Sequence, residues 1–103
     1  MDKYTVDISP EAKEILFMWV NTVEADNGAE AADKLLDGYE ALIDILEKDP
    51  EAGTGRLEDL PRKYRAHHIW RHLWGVYQVY YDSKVVKLEY IIDDRQDYKR
   101  FVH

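Results

Sequence analysis

The sequence predicts an α+β fold with a helical hairpin packed on one face of a small antiparallel sheet. Three observations predict it. Two consecutive segments of the N-terminal half repeat apolar residues at helical spacing. The C-terminal half changes to β-rich runs separated by turn residues. One short alternating segment precedes the helices. Strand, helix, helix and three strands, in that order, place both helices on one side of a sheet. With 103 residues the chain has the size of one domain, and residues 1–103 are read as a single unit.

Each element has a local cause. Tyr4 to Ile8 alternates apolar and polar residues, as a strand does. Ser9-Pro10-Glu11 begins a helix. Serine accepts from an unpaired backbone N–H, proline lacks the donor that the first turn would leave unused, and glutamate suits the positive end of the dipole. Ala12, Ile15, Leu16, Trp19 and Val23 form its apolar stripe. Asp26-Asn27-Gly28 interrupts it. The second helix has the stronger pattern, through Ala32, Leu35, Leu36, Tyr39, Leu42, Ile43 and Leu46. It stops at Asp49, because a residue before proline avoids the helical region. Residues 51–61 read as a loop. Strands follow at Arg65 to Trp70, Val76 to Tyr81 and Val85 to Ile92, with turns near Arg71-His72 and Asp82-Ser83. The tail from Asp93 to His103 reads as a short helix or a loose end.

Composition narrows the function classes. There is no cysteine, which excludes disulfides and thiolate metal sites and fits a reducing, cytoplasmic setting. No apolar run approaches the length of a membrane span, so no membrane partner is expected. The net charge is −7, unevenly placed. Residues 1–60 hold 16 acids and 5 bases; residues 61–103 hold 5 acids and 9 bases, and all four histidines. Any chemistry is expected in that basic half. The plain alternative is a set of acidic helix faces that keep the protein in solution.

Period two fixes which strand residues share a face, once the turns are placed. A turn at Asp82-Ser83 sets Val79 opposite Val86 and Tyr77 opposite Leu88 on an apolar, helix-facing side. The other side carries Gln78 opposite Lys87 and Val76 opposite Glu89, with Trp74 and Tyr80. A turn at Arg71-His72 adds Arg65 opposite Gln78 and His67 opposite Val76 to that open side. His68 then faces the helices opposite Gly75. A one-residue slip would exchange His67 for His68. An open face with cations and aromatics can hold a phosphate chain and stack bases. Ordinary cross-strand charge pairs would look similar, as Lys87 beside Glu89 does.

The sequence resembles the RelE/ParE family of bacterial toxins over nearly its whole length. The element order carries the likeness. So do Leu57 through Pro61 leading into Tyr64-Arg65-Ala66-His67, and Val76-Tyr77-Gln78-Val79 followed by Lys84-Val85-Val86, Arg95 and Tyr98. The resemblance implies a β-α-α-β-β-β fold and a cognate antitoxin. Nuclease members cut messenger RNA on the ribosome, attack through the substrate's own 2′-hydroxyl, and use no metal or other cofactor. Carried onto this chain, two strand lysines fall on Arg65 and His67, and a sheet arginine on Trp74. The arginine after the last strand falls on Arg95. The C-terminal tyrosine is nearest Tyr98, at a shorter spacing from Arg95 than usual.

The implied catalytic set is therefore His67 as base, Arg65 and Arg95 on phosphate, and Tyr98 as acid or stacking group. Trp74, Gln78 and Lys87 are the implied substrate-binding residues. Histidine suits a base, since its ordinary pKa is about 6.5. Trp74 departs from the pattern by removing a phosphate-binding charge, and the acidic chain departs from the basic character of nuclease members. Each residue also has a structural reading: Arg95 beside Asp93, Asp94 or Asp97 as an ion pair, and Tyr98 as a packed tail residue. His67, His68 and His72 have poor spacing for a tetrahedral zinc centre. The alternative function is a non-catalytic relative that binds DNA gyrase or another protein. The blandest is an interaction domain with no toxin role.

Overall fold

Ser9 joins the first strand, the first helix and the centre of the sheet. In the computed structural model, which describes residues 3–52, 61, 63–96 and 102, its hydroxyl accepts from the Ala12 N–H at 3.0 Å. The same hydroxyl donates to the Glu89 carbonyl at 2.7 Å. The strand before it, β1, spans Thr5–Ile8, and the helix it caps, α1, spans Pro10–Asn27. Gly28 follows with φ of 91°, a left-handed conformation that glycine adopts without a side-chain clash. It lets α2, Ala29–Lys48, fold back on α1. Asp49 and Pro50 end α2 where the sequence predicts, and a 3₁₀ turn covers Pro50–Ala52.

The other strands are β2 (Arg65–Trp70), β3 (Leu73–Tyr80) and β4 (Val85–Asp93). Sheet order is β1-β4-β3-β2. β2, β3 and β4 are antiparallel neighbours, as expected. β1 runs parallel to β4, with Thr5 opposite Val85 and Ile8 opposite Leu88, so the sheet is mixed rather than wholly antiparallel. Of the predicted tail, Asp93 belongs to β4 and residues 94–96 turn away from it; residues 97–101 and 103 lie outside the described residues.

The helical stripe predicts the core well. Ala12, Leu16 and Val23 of α1 are buried with Ala32, Leu35, Leu42 and Leu46 of α2. Leu73, Tyr77, Val86, Leu88 and Ile91 meet them from the sheet. Two glycines permit close approach. A Cβ on Gly75 would lie 2.6 Å from Leu42 Cδ2, and one on Gly38 would lie 2.2 Å from the Ile69 carbonyl oxygen. Among the described residues no helix is long and apolar enough to cross a membrane.

Two β-bulges correct the predicted register. The β2–β3 turn falls where expected, with Trp70 opposite Leu73. Ile69 is then an extra residue on β2, and His68 pairs with Trp74 instead of Gly75. The bulge lets Ile69 enter the helix-side core, where it is buried. In β4, Val79–Val86, Gln78–Lys87 and Tyr77–Leu88 pair as predicted. Glu89 is then the extra residue, and Val76 faces Tyr90 rather than Glu89. Ser9 holds the bulged Glu89 carbonyl.

Candidate functional site

The first bulge decides where the predicted site residues lie. Gly75 and Tyr77 face the helices. Their β2 partners are His67 and Arg65, and cross-strand partners share a face. Arg65 and His67 therefore sit at the β2 edge on the helix side, not on the far face with Trp74 as predicted. Arg65 pairs with Tyr77 instead of Gln78, and His67 with Gly75 instead of Val76. Arg65 Nη1 reaches the Glu51 carbonyl at 3.5 Å, beside a Tyr81 hydroxyl that donates to Glu51 Oε1 at 2.9 Å. That bond raises the Tyr81 pKa, and the nearby Arg65 charge works against it.

Trp74, Gln78 and Lys87 do share the far face. Lys87 Nζ lies 5.4 Å from the Tyr80 ring centre, over an exposed aromatic. The middle of this face is closed, however. Ala66, Val76 and Ile92 are buried there with Tyr64 and Val102. The Tyr64 pKa is pushed up to about 12, first by burial and then by the carboxylate of Glu89 and by Tyr90. The rings of Tyr64 and Tyr90 meet edge to face at 6.0 Å. This is a second, smaller core rather than an open cationic platform.

Arg95 stands at the other end of the sheet. Its Nη2 donates to Asp93 Oδ2 at 2.8 Å and its Nε to Asp93 Oδ1 at 3.1 Å. Its backbone N–H donates to the same Oδ1. Asp93 is 3% exposed, and Arg95 holds its carboxyl below the usual range against the opposing effect of burial. The guanidinium fork is thus occupied by a buried carboxylate. Asp93 pairs with Leu73 and Arg65 with Tyr77. Leu73 and Tyr77 are four positions apart on β3, about 13 Å of strand. Tyr98 lies outside the described residues.

The sequence reading missed the cluster that forms next to Arg95. Asp94 Oδ1 meets His72 Nδ1 at 2.9 Å, and its Oδ2 accepts from Trp74 Nε1 at 3.0 Å. His68 stands edge to face on Trp74, with ring centres 5.4 Å apart. The turn residue Arg71, with φ of 52°, lays its guanidinium 4.2 Å from the Trp70 ring centre. The three neighbouring histidines diverge: His67 on the helix side, His68 on the far side and His72 on Asp94. Asp94 had been a candidate partner for Arg95. Only a correct β4 end shows that Asp93 takes the arginine and Asp94 takes Trp74.

Together the geometry defines a class: a helical hairpin on a four-stranded mixed sheet, with aromatic and hydrogen-bonded clusters at the sheet's ends. No protein-family profile and no curated protein matches the sequence. In fold, the chain is similar to a solved chain described as the chromosomal ParDE TA (toxin–antitoxin) system from P. aeruginosa. The TM-score is 0.70 at 18% identity, over 87% of this chain and 95% of that one.

Proposed function

We propose that this protein is the toxin-like member of a type II toxin–antitoxin pair, and that it acts by binding a protein target rather than by cutting RNA. One observation carries the second part. Arg65 and His67 lie on the helix side of the edge strand β2, paired with Tyr77 and Gly75, while Arg95 is held by Asp93 at the end of β4, two strands away. Metal-free RNA cleavage needs a base, a cation and an acid around one phosphate. These side chains are dispersed, and the face that would carry the RNA has an apolar middle. The net charge of −7 also disfavours a polyanion. Similarity in fold to a ParDE chain supports the first part. An antitoxin partner would cover surface apolar groups such as Phe17 and Met18, which are 66% and 53% exposed.

Controlled expression tests both parts. The expected result is growth arrest with intact total messenger RNA, with purified protein inhibiting DNA supercoiling by gyrase. An Arg65→Ala/His67→Ala/Arg95→Ala variant that folds should still arrest growth. Cleavage of messenger RNA by wild type, lost in that variant, would restore the nuclease reading. Normal growth with both proteins would remove the toxin reading.

A further inference from the structure

β1 stands at one end of the strand order, with β4 on one side of it. The hydrogen bonds show which of its backbone groups are used. The Thr5 N–H donates to the Lys84 carbonyl and the Ser9 N–H to the Leu88 carbonyl, both at 2.9 Å. Alternate residues of a parallel strand serve the same neighbour. Thr5 and Asp7 therefore turn their N–H and C=O groups to β4, and Val6 and Ile8 turn theirs outward. Tyr4 also points outward, but the Glu47 carbonyl of α2 accepts from its N–H at 2.8 Å. Pro10, the next outward residue after Ile8, has no N–H. The open edge is thus Val6–Ile8, and among the described residues no strand pairs with it. It is within reach of another chain: Thr5 and Asp7 are exposed, and Val6 and Ile8 are only partly buried.

The side chains of this edge divide between the two faces. Val6 and Ile8 pack against the helix-side core. Thr5 and Asp7 lie on the far face, with Asp7 opposite Lys87 of β4. Lys87 does not neutralise it. Its ammonium lies over the Tyr80 ring of β3 instead, 5.4 Å from the centre. The Lys84 ammonium lies over the Tyr4 ring. Asp7 makes no ion pair among the described residues. The outermost strand therefore presents open backbone groups and an unpaired carboxylate side by side.

A second copy of this chain is a poor occupant, because each two-fold register of β1 on itself has a fault. Val6 opposite Ile8 sets Asp7 against Asp7, and like charges directly opposite destabilise a pair. Val6 opposite itself sets Ile8 against Tyr4, whose N–H is taken. Ile8 opposite itself sets Val6 against Pro10, which has none.

We propose that the Val6–Ile8 edge receives an extended segment of a partner protein, with a lysine or arginine opposite Asp7 and an apolar residue on either side of it. Backbone pairing with Val6 and Ile8 provides the affinity, and the cation opposite Asp7 fixes the register. The inference rests on the protein-binding reading and adds to it the surface and the chemistry of the partner.

The test uses the synthetic peptide Thr-Val-Lys-Val-Thr, capped at both ends. In the free protein the Val6 and Ile8 amides should exchange faster than that of Asp7, and the peptide should slow those two. A peptide with glutamate in place of lysine should bind about fivefold more weakly. Asp7→Lys, with an unchanged circular dichroism spectrum, should reverse that preference. Two further peptides are N-methylated, one at the valines and one at the lysine and threonines. An antiparallel strand would pair through the first set and a parallel strand through the second, so one of the two should bind about tenfold more weakly. No binding at millimolar peptide, equal binding of the glutamate peptide, or undiminished binding of both N-methylated peptides would overturn the proposal. So would binding that leaves the Val6 and Ile8 amides unchanged, or sedimentation showing a dimer that protects them. Growth arrest with intact messenger RNA alongside any of those results would overturn the edge site alone and leave the protein-binding reading standing.

Discussion

The two faces of the sheet are built differently. The helix face is a continuous core of long aliphatic side chains around Tyr77. The far face has a small patch around Ala66, Val76 and Ile92, bordered by Tyr64 and Tyr90 and joined by Val102. The difference teaches that a sheet face against which no helix packs among the described residues need not be a working surface. Here its centre is used for packing. Its polar groups, Gln78 and Lys87 at one end and Trp74 with Asp94 at the other, are pushed to the margins. The cations that would have made it a phosphate site lie elsewhere.

Three changes would break or sharpen this contrast. The largest effect belongs to the helix face. Leu42 is 1% exposed, and Leu42→Ala should cost about 3 kcal/mol in chemical denaturation, through lost burial and the cavity left behind. A cost below about 1 kcal/mol would mean that the helix-side core is not the main one.

Gly38→Ala comes next. Alanine favours a helix interior by about 1 kcal/mol over glycine. Here its Cβ would meet the Ile69 carbonyl oxygen at 2.2 Å, so α2 and β2 must separate. A net loss of about 2 kcal/mol is expected from that overpacking. A gain in stability would show that the β2 bulge does not rest on α2.

The smallest effect belongs to the far face and appears in alkali. Tyr64 keeps its proton to about pH 12 in the folded protein, whereas an unfolded tyrosine releases it near 10. Between those values the unfolded state loses its proton first. Stability is therefore intact below pH 10 and falls as pH rises toward 12. Melting temperatures should show that fall, and Tyr64→Phe should reduce it. If the far face were open to solvent, Tyr64 would titrate near 10 and the two proteins would lose stability in parallel.

Much of the fold is legible in the residues. Ser9-Pro10-Glu11 marks the start of α1, Gly28 the break, and Asp49-Pro50 the end of α2. The stripe through Leu35, Leu42 and Leu46 identifies the buried side of α2. Both turns of the antiparallel strands fall at the predicted places, and the pairs nearest Asp82-Ser83 are correct. These features depend on residues close together in sequence, where propensity and periodicity act directly.

The candidate site is less legible. Trp74, Gln78 and Lys87 share a face because the β3–β4 register holds near its turn. Arg65 and His67 change sides because Ile69 bulges, and Arg95 is captured because the end of β4 brings Asp93 beside it. By itself the sequence determined the elements, their order, the caps and the helix faces that seek a core. Only the tertiary structure decided that β1 lies parallel to β4 and which way Arg65 and His67 face. The reason is geometric: side chains alternate with period two, so one inserted residue reverses the expected face of every position beyond it, counted from the turn that sets the register. The bulges are stabilised by Ile69 entering the core and by Ser9 holding the Glu89 carbonyl, contacts between residues far apart in the chain.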